Sequence, residues 1–333
     1  MNTRLKTRIH YFDIAKGILI VLLVFAHFWS AKIRLPYEND YFHLVYGWNS
    51  IFTCFYMPAF FIISGYCSNF DKKNREFITN IFRSLILPLF SLSIISAIIN
   101  ATLVTHENIK EVIFTTIVEV GNMWFIKALI HAKIICYILN KFKNNKKILL
   151  IITFVLMFIA ITLNQYNIGD NYQYFRHGMI ASFFVAIGKY FKDNQNLYNK
   201  LLEYSLYIYP LLAACTFFWN TSFTAYISVS ITSLPLLILY SIFGTCFLLA
   251  ICKNVSNNES LEFWGRNSLV VYGLHFTPLF LTFKYLYPLI NPTNIYTFFI
   301  FIVILFTIVY FIMYTIMIIF NIFPFKWLLG NFK

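Results

Sequence analysis

Runs of roughly twenty apolar residues follow one another along almost the whole of this chain, and no hydrophilic segment between them is long enough to be a domain of its own. About 20 helical residues cross a hydrocarbon core of about 30 Å, so each run reads as a membrane span. The spanning form is helical, because a barrel strand alternates polar and apolar residues and these runs do not. The charge content agrees: 12% of the 333 residues are charged, against roughly 25% in a soluble domain. A surface so poor in charge faces lipid. The expected fold class is all-α, a polytopic integral membrane helical bundle with residues 1–333 forming one domain.

Ten spans can be drawn, at roughly 14–31, 49–68, 81–104, 123–140, 147–164, 177–191, 202–219, 225–252, 268–287 and 295–320, with ends good to a few residues. Basic residues collect in cytoplasmic loops. Arg4, Lys6 and Arg8, then Lys72, Lys73, Arg75 and Arg83, then the KFKNNKK segment after the fourth span all fall on one side of such a bundle. That side is expected to be cytoplasmic, and an even number of spans puts both termini there. Glu107, Glu111, Glu119 and Asp170 fall on the other side. This distribution accounts for the net charge of +13 without nucleic acid, whose binding calls for basic residues clustered on one face. The six cysteines are scattered without a C-x-x-C pair, and read as small apolar residues rather than a disulfide or metal framework. No metal is expected. The basic start and apolar run at the N-terminus read as a retained helix rather than a cleaved signal, because Asp13, Lys16 and His27 lie within it.

Ionisable residues inside a span are costly, and they mark a function or an interior pairing. Asp13 and Lys16 are three apart and can pair on one helical face. His27 follows Lys16 by eleven residues, about three turns, so the two share a face about 16 Å apart along the axis. A plain structural reading makes Asp13 and Lys16 interfacial anchors and His27 a hydrogen-bonded core residue. The fourth span holds Trp124, Lys127, His131 and Lys133, and the ninth holds His275. No P-loop, G-x-G-x-x-G, H-E-x-x-H or G-x-S-x-G motif occurs. From the residues alone the chain is a membrane enzyme or a transporter.

The stretch YFDIAKGILIVLLVFAHF resembles the opening signature of the membrane acyltransferase 3 family, with an Asp, a basic residue and Gly, and a His closing the apolar run. FYMPAFFIISGYC, RSLILPLF, MWFIKALI and GRNSLVVYGLH are similar to later motifs of that family, in family order, over most of the chain. Lys16 departs from the more common arginine, and in this the chain resembles the fucose 4-O-acetylase-like branch. Lysine keeps the charge and loses the two-pronged guanidinium.

The resemblance implies O-acyl transfer, usually of acetyl, from cytoplasmic acetyl-CoA or another acyl-CoA to a hydroxyl of an envelope glycan or lipid-linked sugar. It places the chain in the bacterial cytoplasmic (inner) membrane, with membrane lipid around it. A sugar hydroxyl needs a base to remove its proton as it attacks a thioester, and histidine titrates in the right range. His27 is the candidate, either as general base or as the carrier of a covalent acyl group. Lys16, held by Asp13, would hold the donor or offset developing oxyanion charge. Lys72, Lys73, Arg75 and Arg83 lie where CoA phosphates could dock, although topology alone would also put them there. Trp124 and His275 fall on motif positions that would line the substrate cavity; packing is their other reading. A transporter or flippase of sugar-linked lipids is the alternative, and would be expected to show broken helices in matched halves.

Overall fold

The computed structural model describes residues 9–42, 51–119, 123–142, 145–166, 168, 173–219, 233–255, 258–322 and 324–330. Arg4, Lys6, Arg8 and Asp170 lie outside the described residues, as do positions 143–144 of the basic segment and the first part of the eighth apolar run. Among the described residues every regular element is helical. The helices are α1 (His10–Ile33), α2 (Tyr56–Cys67), α3 (Asn74–Thr105, widened by π turns at Phe82–Ile86 and Ala101–Thr105) and α4 (Ile109–Val118). Then follow α5 (Trp124–Phe142), α6 (Lys146–Gln165), α7 (Gln173–Asp193), α8 (Gln195–Trp219) and α9 (Leu234–Asn254). The chain continues through α10 (Glu259–Arg266), α11 (Ser268–Leu274), α12 (Phe276–Ile290) and α13 (Ile295–Asn321) to a 3-10 turn at Phe325–Leu329.

Within the described residues each of the ten apolar runs coincides mainly with helix. Five helices, α1, α3, α6, α9 and α13, are long and apolar enough to cross a bilayer, and the α11–α12 pair makes a sixth if it is taken as one bent span. The chain is a multi-pass membrane protein. Capping residues fix several starts. Asn145, Asn258 and Asn294 accept hydrogen bonds from the first free backbone N–H groups of α6, α10 and α13.

Packing explains why some helices are less apolar than lipid requires. Helix α7 is buried on all sides from Arg176 to Gly188, enclosed by α2, α5 and α6. Its approach to α2 is backbone to backbone: a Cβ on Gly65 would strike the Val185 carbonyl, and one on Gly188 would strike that of Ile62. Small residues at helix crossings allow such close contact in membranes. Helix α1 is fixed in the same way. A Cβ on Gly17 would strike the Leu261 carbonyl of α10, and one on Gly265 would strike the Asp13 carbonyl. Glu262 of α10, itself buried, pairs with His10 at 3.1 Å and with Arg266 at 3.3 Å. Helix α10 lies in a segment that apolarity alone reads as a loop.

The ninth apolar run is where sequence and structure differ most. It is broken: α11 and α12 meet at His275 with a 53° bend. Pro278 explains the break, since it has no N–H for the Leu274 carbonyl and its ring would clash with that carbonyl in a straight helix.

Candidate functional site

The sequence puts Lys16, Ile20, Leu23 and His27 on one face of α1, and this stripe organises the site. At its first end Lys16 pairs with Asp13 at 3.6 Å. Asp13 is buried, while the Lys16 side chain retains 28% exposure. Lys133 of α5 is in electrostatic range of Lys16 and of Cys67 at the end of α2. More cations gather here. Lys192 donates to the Ser68 carbonyl at 2.9 Å, and Lys141 contacts the Asn74 side chain. Tyr137 donates to the Lys72 carbonyl at 2.9 Å. Lys73 and Arg75, at the start of α3, are exposed, and so is Arg83 within the first π turn.

At the other end of the stripe, His27 lines a cavity of about 580 Å³. Its Nδ1 is 2.9 Å from the Leu23 carbonyl, which can only accept, so Nδ1 carries the proton and Nε2 the lone pair. Nε2 has no hydrogen-bond partner among the described residues. His275 and Trp124 line the same cavity. The His275 ring meets that of His27 edge to face, with centroids 4.7 Å apart. His275 is itself buried, its Nδ1 shared between the carbonyls of Val271 and Tyr272 at 2.9 and 3.0 Å. Those carbonyls lie one turn back along the helix, and that of Val271 also accepts the His275 backbone N–H at 3.0 Å, so the imidazole bonds back onto the turn before the break. Among the described residues the other ring nitrogen is buried without a partner, which costs about 1–3 kcal/mol.

Three of the residues singled out in the sequence, His27, Trp124 and His275, therefore converge on one cavity. Lys16, Asp13, Lys72, Lys73, Arg75 and Arg83 do not line it. Tyr137, which holds Lys72, lies thirteen residues beyond Trp124 on α5, about 20 Å along the axis. Between the two ends lies a second, apolar cavity of about 40 Å³. It is lined by Ile20 and Leu23 of the stripe, and by Tyr272, which also lines the larger cavity. The Tyr272 hydroxyl accepts from the Phe125 backbone N–H at 3.2 Å.

The larger cavity has a polar lining that sequence reasoning missed. Ser30 of α1 and Arg34 just after its end line it, with Ser96 and Asn100 of α3 and Glu119 at the end of α4. The signal for Ser30 and Arg34 was available, because they follow His27 by three and seven residues on the same helical face. Arg34 stacks over Phe276 at 4.7 Å. Hydroxyl, amide, carboxylate and guanidinium groups beside two aromatic rings can hold a polyhydroxylated molecule. The Nε2 lone pair of His27 can take a proton from one of its hydroxyls. Among the described residues no group of three or more His, Cys, Asp or Glu side chains is disposed to hold a metal ion.

Comparison with known proteins gives the chemistry a class. The family model described as "Acyltransferase domain" (Acyl_transf_3) matches residues 9–324. The nodulation protein NolL of Mesorhizobium japonicum is 32% identical over 138 residues, a segment that covers 40% of this chain and 36% of that protein. No solved structure matches.

Proposed function

The chain belongs to the acyltransferase family that this model describes, and from that premise we propose that it moves an acyl group from acyl-CoA to a hydroxyl of an envelope glycan or lipid-linked sugar. Acetyl from acetyl-CoA is the proposed donor group, and the bacterial inner membrane the proposed site. One observation carries the reading: the unpartnered Nε2 of His27 opens on a polar cavity, while the same face of α1 ends in a cluster of cations. The finer resemblance to fucose 4-O-acetylase-like proteins rests on Lys16.

The acceptor hydroxyl binds in the larger cavity. Its O–H bond breaks as His27 Nε2 takes the proton. The oxygen attacks the thioester carbonyl, a C–O bond forms and the C–S bond breaks. The proton then passes from His27 to the departing sulfur, which leaves as CoA thiol. Lys16 and Lys133 hold the donor about 16 Å away along the helix, and the donor's pantetheine arm lies along Ile20 and Leu23, widening the small cavity there. Lys72, Lys73 and Arg75 meet CoA phosphates. Such remote contacts supply mainly uniform binding. Neutralising the three together should therefore raise the apparent donor constant several-fold while leaving maximal turnover nearly unchanged. An unchanged donor constant in the folded triple variant leaves these charges only a topological role.

This reading needs ten crossings with both termini in the cytoplasm, so that the Lys16 end of α1 faces acyl-CoA and the His27 end faces the envelope. Reporter fusions at residues 145 and 333 should report cytoplasm, and one near residue 170 the outside. A C-terminal fusion reporting the outside would exclude this arrangement.

The broken α11–α12 helix favours a second reading, since transporters and flippases build their sites at such breaks. That reading expects a matching break in the other half of the chain, and α11–α12 is the one bent pair among the described residues.

A further inference from the structure

Helix α4 forms one wall of the larger cavity. Val112, Thr115, Thr116 and Glu119 follow one another at helical spacing, and all four line it. Packing holds this wall loosely: α4 rests on α3, and none of its residues is buried. Its C-terminal end is fixed in another way. Lys127 of α5 is buried, and its Nζ donates to the Glu119 backbone carbonyl at 3.0 Å. The same ammonium sits over the Tyr174 ring of α7, 3.8 Å from the centroid, and is in electrostatic range of the Glu119 carboxylate. A lysine inside a span is costly, and a leucine would pack between α5 and α7 without a charge. The carboxylate is also misplaced for helix stability, because Glu119 stands at the negative end of the α4 dipole. Both charges call for a use beyond packing.

We infer that Glu119 is an acceptor-binding residue that selects which sugar hydroxyl meets His27, and that Lys127 is the positioning residue that seats it. The inference rests on the reading of the larger cavity as the acceptor site. Glu119 and His27 line that one cavity. A carboxylate accepts hydrogen bonds from O–H groups, and its charge makes them stronger than those to a neutral acceptor. Holding one hydroxyl of a sugar at Glu119 therefore fixes which other hydroxyl reaches the Nε2 of His27. The acceptor class this fits is a sugar with a second free hydroxyl besides the one acylated. Glu119 takes no proton in the reaction. A contact away from the reacting oxygen is equally strong in the ground state and the transition state, so its loss appears in the acceptor constant.

The test uses full-length purified protein, saturating labelled acetyl-CoA, and lipid-linked oligosaccharide from the native host at varied concentration. The position of the acetyl group on the product is read by NMR. Glu119→Gln is expected to raise the apparent acceptor constant roughly 10-fold, to leave the donor constant within twofold of wild type, and to spread acetyl over more than one hydroxyl. Its fold should survive, because Glu119 is exposed. Lys127→Met is expected to shift the acceptor constant and the acetyl position in the same sense, and Lys127→Arg to recover part of both, since a guanidinium still donates to the Glu119 carbonyl. An acceptor constant within twofold of wild type and an unchanged acetyl position in Glu119→Gln, with His27→Gln inactive, overturn the inference and leave the proposed function standing. A lower melting temperature in Lys127→Met with acetyl on the wild-type hydroxyl overturns the seating role of Lys127. An active His27→Gln removes the proposed function, and this inference with it.

Discussion

His27→Ala should reduce acyl transfer by roughly 10²- to 10⁴-fold, the contribution expected of a general base, while the protein still inserts and folds. Survival of the fold is expected because His27 is only half-buried and, among the described residues, its hydrogen bond is to the Leu23 carbonyl of its own helix. His27→Gln sharpens the result. Glutamine keeps a donor for that carbonyl, but it cannot take up a proton near neutral pH. A merely structural histidine would be rescued by Gln; a base would not. The acyl content of surface carbohydrate, by mass spectrometry or NMR in cells holding equal amounts of each variant, separates the cases. Near-wild-type acylation with Gln would return His27 to the helix core.

The second large effect concerns the seat of that histidine. Gly265→Ala adds a single Cβ, yet that atom meets the Asp13 carbonyl and lies 3.0 Å from the Gly17 nitrogen. The obstacle is backbone on both sides, so no side chain can swing away. The cost should fall at the upper end of overpacking, about 3 kcal/mol. Helices α1 and α10 should separate, disturbing both the Asp13–Lys16 pair and the angle at which α1 carries His27. The expected observation is a clearly lower melting temperature in detergent and a smaller yield of monodisperse protein. An unchanged melting temperature would mean that the α1–α10 crossing is looser than described.

Much of this was legible in the sequence, and particular residues show why. Helical period alone puts Lys16, Ile20, Leu23 and His27 on one face, and the structure keeps that stripe intact. The Asp13–Lys16 pairing follows from a three-residue separation that any helix enforces. The cavity was not legible, because α1, α3, α5 and the α11–α12 break contribute to it from distant parts of the chain. Pro278 announces a break, but not that His275 would sit at the bend and face His27. Helix α10 was missed for a different reason. With Glu259, Glu262 and Arg266 it looks like a polar loop, and only its glycine-mediated contact with α1 buries Glu262 and Trp264. Lys72, Lys73, Arg75 and Arg83 were placed on one side by topology, which carries no distance to any side chain elsewhere in the fold, and none of them lines the cavity of His27.

The most direct test places purified protein in vesicles with lipid-linked oligosaccharide from the native host, and adds acetyl-CoA labelled in its acetyl group on the face exposing the Lys16 end. The prediction is label on carbohydrate hydroxyls and an equal release of CoA thiol, both lost in His27→Gln. Movement of the oligosaccharide across the vesicle with no label transferred and no thiol released would contradict the account and establish a transporter instead.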